Sequence, residues 1–277
     1  MRIGVALIGL AVLASGLTAA RQVPAPSEYR LIWADEFDKD GAPDPANWTY
    51  ERGFVRNQEL QWYQPDNARV DHGMLVIEAR RERVVNPAFD AASTDWKRNR
   101  QAAEYTSASV TTRGLHTFTY GRFEMRARID TRSGIWPAFW TVGASGPWPH
   151  NGEIDIMEFY RGMLLANVAW GGAARNQAIW ADTRTPIATF GDGWSQQFHV
   201  WRMDWDERAI KLFVDDRLLN DVGLSKTINQ DGSGTNPFNK PQLIILNLAV
   251  GSTGGDPAQT TFPARYEIDY VRVYERR

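Results

Sequence analysis

Polar and apolar residues alternate one for one along much of this chain. In "YGRFEMRARID" (120–130), Phe123, Met125, Ala127 and Ile129 fall on one face and Arg122, Glu124, Arg126 and Arg128 on the other. That period of two is the signature of a half-buried strand. "HVWRMDW" (199–205) and "AIKLFVDD" (209–216) flank the polar "DER" (206–208) and predict a hairpin. "QLIILNLAVG" (242–251) and "RYEIDYVRVYE" (265–275) predict two further strands, the last setting Tyr266, Ile268 and Tyr270 against Glu267, Asp269 and Val271. No segment sustains an apolar stripe at helical spacing; the stretch 86–105 offers at most a short helical turn. Many short strands with Gly and Pro between them predict an all-β sandwich or jelly roll.

The N-terminus breaks this pattern. Met1-Arg2, the apolar run 3–17 and the small residues "TAA" (18–20) predict a secretory signal peptide over 1–20, too short in its apolar part to span a bilayer. A short Pro-containing segment, 21–30, then leads into one domain, 31–277, with no internal repeat or linker. The expected mature protein is therefore secreted or periplasmic, without a membrane anchor, and is expected to be a monomer. With no cysteine in the chain, it relies on its core for stability.

Composition narrows the partner. Lys and Arg number 31 against 33 Asp and Glu, a balance that gives no reason to expect a nucleic acid. The chain carries 12 tryptophans, whose flat faces suit both a core and the apolar faces of sugar rings. His72, His116, His150 and His199 have no metal-ligand spacing, and no phosphate-binding glycine loop is present, so neither metal hydrolysis nor nucleotide chemistry is expected.

The candidate chemistry lies in "GEIDIMEFY" (152–160), where Glu153, Asp155 and Glu158 interrupt an apolar run. Buried acids are costly unless paired or used. In a strand, Glu153 and Asp155 share one face, but strict alternation gives that face to Met157 rather than Glu158. A β-bulge at Ile156-Met157 restores Glu158 to it. The outer backbones then stand roughly 13 Å apart, and two long Glu side chains leaning inward approach the spacing of about 5–5.5 Å that a retaining glycosidase needs. Three carboxylates this close cannot all ionise, so at least one pKa must rise, as a general acid requires. A solvated acidic face and a calcium site are the alternatives that the stretch leaves open by itself.

"GEIDIMEF" resembles the active-site strand of glycoside hydrolase family 16 in its bulged E-x-D-x-x-E form. The likeness extends, in the family's order, through "WADEFD" (33–38), "RNQELQWY" (56–63), "NARVDHGMLVIEARR" (67–81), "YTSASVTTRG" (105–114), "YGRFEMRARI" (120–129), "GIWPAFWTVG" (134–143), "LNLAVGSTGGDP" (246–257) and "EIDYVRVYE" (267–275). This resemblance implies a concanavalin A-like jelly roll of two antiparallel sheets with a concave glycan-binding cleft. It also implies Glu153 as nucleophile, Asp155 as assisting acid and Glu158 as general acid/base, with no cofactor for catalysis.

Around these acids, Trp136 and Trp140 are candidate sugar contacts, with Trp148 and Trp170 as weaker ones; Asn57, Glu59 and Asn247 are candidate polar contacts. The resemblance further implies a structural calcium held by Asp269 and the carbonyls of Glu36 and Gly73. The expected substrate is a β-linked polysaccharide, β-1,3-glucan or mixed-linkage β-1,3-1,4-glucan, cut internally. One departure from laminarinase-like members, Ala169 in "NVAWGG" where a histidine is usual, keeps a β-1,3-galactan or another galactan as the alternative. Arg161 and Arg175 are candidate cleft cations should the polymer be sulfated. A transglycosylase would share every catalytic residue, and a lectin-like binder is the alternative without chemistry.

Overall fold

The computed structural model describes residues 28–277, so the expected export signal and most of the segment 21–30 lie outside the described residues. Strands dominate it, and among the described residues the only helical pieces are short 3₁₀ turns. Two eight-stranded antiparallel sheets form the body. One runs in the order Arg217–Gly223, Ala209–Val214, His199–Trp205, Gly121–Arg128, Ala264–Arg276, Leu75–Ala79, Ala68–Val70, with Tyr29–Asp35 also paired to Ala264–Arg276. The other runs Ala178–Ala181, Met163–Gly171, Glu153–Tyr160, Ile135–Gly143, Gln242–Val250, Ser109–Thr111, Thr49–Tyr50, with Arg184–Pro186 added beside Met163–Gly171. Neighbours far apart in sequence give the jelly-roll order that the alternating pattern predicts.

The alternation explains the packing. Along Gly121–Arg128 buried and partly exposed residues alternate without a break, so Phe123, Met125 and Ala127 enter the core while the arginines and Glu124 stay at the surface. Facing them from the second sheet are Phe139, Ile154, Ile156, Met157, Leu246 and Leu248, all members of one continuous core. Each such side chain contributes about 1.5–3 kcal/mol by leaving water. The core therefore holds the second sheet rigid from behind and leaves its outer face free for polar groups.

One local expectation holds and another changes. The stretch 86–105 holds, as expected, no more than a single turn, at 95–99: Asn86 donates to the carbonyls of Lys97 and Arg100, and Asp90 and Asp95 close turns through their own carboxylates. Side-chain competition for backbone groups is what keeps Asn and Asp out of helix interiors. In the last strand, Tyr270 does not continue the inward row of Tyr266 and Ile268. The pairing skips Asp269, between Arg126 opposite Tyr270 and Ala127 opposite Ile268, and this bulge hands the core face to Val271 and Val273. Tyr270 turns outward, where the Arg272 guanidinium lies 3.8 Å from its ring centroid.

The same bulge bears on the expected calcium site. The carboxylate of Asp269 is bound by Arg126, and that of Glu36 is held by Arg272 through two 2.7 Å bonds. Strands Tyr29–Asp35 and Leu75–Ala79 both pair with the same edge of the last strand, and their register directs Glu36 and Gly73 towards Tyr270. Among the described residues no group of three or more His, Cys, Asp or Glu side chains is placed to hold an ion. An ion there would rest mainly on carbonyl oxygens and on the one Asp269 oxygen that Arg126 leaves open.

Phe139 is fully buried between the two sheets, paired with Met157 and Leu246 where the register of Glu153–Tyr160 shifts. Phe139→Ala is expected to lower the unfolding free energy by about 3–5 kcal/mol, read as a shift of the denaturant midpoint at unchanged m-value.

Candidate active site

The strand Glu153–Tyr160 sits in the middle of the second sheet and holds one residue more than a regular ladder would pair. Against Ile135–Gly143 the register runs Val142 to Glu153, Trp140 to Asp155, then Phe139 to Met157 and Ala138 to Glu158, so Ile156 has no partner of its own. On its other side Asp155 faces Asn167, and the next pair is Glu158 with Leu165. Ile154, Ile156, Met157 and Phe159 all point into the core. The two consecutive inward residues, Ile156 and Met157, are what return Glu158 to the face of Glu153 and Asp155. The strand ends at Arg161 and Gly162, both at positive φ, a two-residue turn of the kind that antiparallel hairpins favour.

The three acids open into a cavity of about 870 Å³ on the outer face of the sheet. Burial raises all three pKa values, and each acid has different neighbours opposing or adding to that rise. Glu153 is pushed up to about 7 by burial, opposed by the nearby Arg56 guanidinium and by a hydrogen bond from Trp148. Glu158 is also pushed up to about 7 by burial, opposed by the Trp136 indole, which donates a 2.7 Å hydrogen bond to it, and reinforced by the charges of Glu153 and Glu59. Asp155 is held well above its ordinary carboxylate value by burial and by the charges of Glu158 and Glu153; only a hydrogen bond to Asn167 opposes this. Glu153 is thus the one acid of the three with a cation against it, while Asp155 and Glu158 both face other carboxylates.

The rim beside Glu153 is built by the turn 56–59. Asn57 and Gln58 both adopt left-handed backbone, with φ of 54° and 52°, which is uncommon for residues other than glycine. Arg100 holds this turn through the carbonyls of Glu59 and Gln58, Ser252 donates to the Asn57 carbonyl, and Leu60 N–H bonds the Val250 carbonyl at 2.9 Å. Arg56 is anchored on Glu51, which also accepts a 2.7 Å bond from Ser109, and its guanidinium lies 5.0 Å from the Trp140 ring centroid. Trp140 donates to Asn247 at 2.8 Å, and Asn247 donates to the Tyr63 hydroxyl at 3.1 Å. Glu59 is buried and raised in pKa by that burial; Gln61, Tyr63 and Asn57 all bond to it.

The structure therefore brings Glu153, Asp155, Glu158, Trp136, Trp140, Trp148 and Asn57 to one cavity, with Glu59 and Asn247 beneath it. Asn247, expected as a sugar contact or a satisfied amide, has both its carbonyl and its amino group engaged within the protein. Trp170 is not in the cavity. It lies one residue past Ala169, the partner of Glu153, and so points to the opposite face, into the core. Arg161 and Arg175 do not line the cavity either; Arg56, Arg113 and Arg184 do. Asn167 and Trp180 also line the cavity, beyond the candidates that the sequence offers. Strand parity identifies Asn167, two residues before Ala169 and on the same face, but Trp180 is reached only through the register of the next strand.

A family model for glycosyl hydrolases family 16 matches residues 57–272. A beta-glucanase of Rhodothermus marinus is 38% identical over 293 residues, covering 97% of this chain and 91% of that protein. The laminarinase catalytic domain of Thermotoga maritima, solved with cetyltrimethylammonium bromide, superposes with a TM-score of 0.74 at 33% identity, over 90% of this chain and 99% of that one. A structure from work on endo-acting O-glycanases, which prominent members of the human gut microbiota express to initiate mucin breakdown, superposes with a TM-score of 0.83 at 34% identity, over 91% and 93%. With three acids on one bulged strand of a jelly roll and a family match over most of its length, this chain belongs to glycoside hydrolase family 16 and is a glycoside hydrolase of the retaining type.

Proposed function

We propose that Glu153 is the nucleophile, Glu158 the general acid/base and Asp155 the residue that carries a proton between them. The supporting observation is the asymmetry of charge within the triad. Arg56 favours an ionised Glu153, while neighbouring carboxylates favour a protonated Glu158. In the first step Glu158 gives its proton to the leaving glycosidic oxygen as Glu153 bonds to the anomeric carbon. In the second, Glu158 takes a proton from water, which displaces Glu153. Asp155, protonated through its burial between the two, donates to whichever neighbour bears the charge.

The substrate of this reading is a β-1,3-glucan or a mixed-linkage β-glucan, cut internally. It is supported by the relation to a beta-glucanase along nearly the whole chain. A second reading, endo-acting cleavage of O-glycan chains, is favoured by one observation, the closer superposition on a structure from work on O-glycanases than on a laminarinase. The expected calcium, for its part, is proposed as structural only and has no part in bond cleavage.

Mature protein, with Glu153→Gln as control, is expected to release oligosaccharides from laminarin or lichenan, read by mass, and the control to be slower by on the order of 10³-fold or more. Cleavage of mucin O-glycans or β-1,3-galactan alone would replace the glucan reading and keep the mechanism. The pH profile of kcat/KM tests the roles. Arg56→Met removes the cation that favours ionised Glu153, so the acid limb is expected to move up by roughly one pH unit, while Arg56→Lys keeps it near the wild-type position. Trp136→Phe removes a donor that favours ionised Glu158, so the alkaline limb is expected to move up instead. Chelation by EDTA is expected to lower the melting temperature without changing the pH profile; an unchanged melting temperature would remove the calcium proposal.

A further inference from the structure

Four tryptophans line the cavity, and their faces are not equally free. Trp140 packs against Val142, Leu243 and Ile245 and carries the Arg56 guanidinium over its ring; its N–H is bound to Asn247. Trp136 is only 7% exposed, meets the Tyr160 ring edge-on at 5.3 Å, and has its N–H on Glu158. Trp148 and Trp180 are each 43% exposed, and no aromatic or cationic side chain among the described residues covers either ring. Among the four tryptophans, the most open ring surface therefore belongs to those two.

Their positions follow from the register. Glu153 pairs with Ala169, and Ala169 pairs with Trp180, so the three lie in a row across the sheet and share its outer face. Ala169 is the small middle member and lies outside the core cluster. Two strand spacings put the backbone of Trp180 roughly 10 Å from that of Glu153. A ring at that distance meets a neighbour of the sugar under attack, not that sugar itself. An exposed indole is costly in water unless something flat and partly apolar covers it, and the C–H face of a pyranose has that character.

We propose that Trp180 is a specificity-determining residue: it stacks on an uncharged pyranose of the β-linked chain, one flanking the bond that is cut, and so sets the minimum length of a good substrate. This rests on the reading of the chain as an endo-acting glycosidase. Ala169 leaves the room over which the chain passes from Glu153 to Trp180, and Trp148 lines the same cavity from the loop before the Glu153 strand. Trp180 thus acts on binding of the extended chain, and the chemistry at Glu153 and Glu158 does not pass through it.

The test is kcat/KM for a ladder of oligosaccharides of the polymer that wild type cleaves, measured for wild type, Trp180→Ala and Trp180→Phe. Trp180→Ala is expected to lose about tenfold or more on the longest members, chiefly in KM, with the loss shrinking as the substrate shortens, and Trp180→Phe to recover most of it. A loss of the same size at every length would mean a structural role and overturn the proposal, as would no loss at any length. Wild-type protein that cleaves none of the glucans, galactan or O-glycans would overturn the glycosidase reading and this proposal with it. Active wild type with a length-independent variant would overturn only the latter.

Discussion

One irregularity of register organises the active site. A strand in an antiparallel sheet can give its outer face only to every second residue, and Glu153, Asp155 and Glu158 do not obey that spacing. The sheet accommodates them by leaving Ile156 unpaired and turning both Ile156 and Met157 inward. Because Phe139, Leu246 and the opposite sheet pack against those two side chains, the bulge is fixed by the core and cannot slide. The position of the third acid is thus a consequence of packing on the hidden side of the sheet.

From that arrangement the electrostatics follow. Removing three carboxyls from water raises every one of them, and a site of identical raised acids has no direction. Direction comes from the surroundings. The turn 56–59 brings Arg56 to the Glu153 side, held by Glu51 and by the face of Trp140, while Glu59 faces Glu158 and adds to its affinity for a proton. Arg56 also divides the aromatic surface, since by covering Trp140 it leaves the open rings on the side of Trp148 and Trp180.

How much of this the sequence discloses depends on how local each determinant is. Alternation over 120–130, 199–216 and 242–251 reports strands because burial of one face is written in each residue and its neighbours. The bulge at Ile156-Met157 is legible too, since three acids in an apolar run have few other physical solutions. The bulge at Asp269 is not. It shows itself only as a change of parity, with Tyr270 as apolar in appearance as the Val271 that replaces it in the core. Trp170 and Trp180 illustrate the same limit. A tryptophan's face cannot be read from its identity, and only strand pairing tells that Trp170 turns inward and Trp180 outward. Arg56 is the least visible of all, because its role comes from a strained turn that brings it against residues distant in the chain.

The central claim is that Glu153 forms the bond to the sugar. The most direct measurement is to inactivate the protein with a 2-deoxy-2-fluoro glycoside carrying a good leaving group, matched to the polymer it cleaves, and to locate the label by peptide mass mapping. A fluorine at C2 destabilises the oxocarbenium-like transition state of both steps, and the good leaving group keeps the first fast enough for the covalent intermediate to accumulate. The account predicts one sugar per chain, attached through the carboxylate of Glu153. A label on Glu158 would reverse the assigned roles, and inactivation without any covalent label would contradict the double displacement itself.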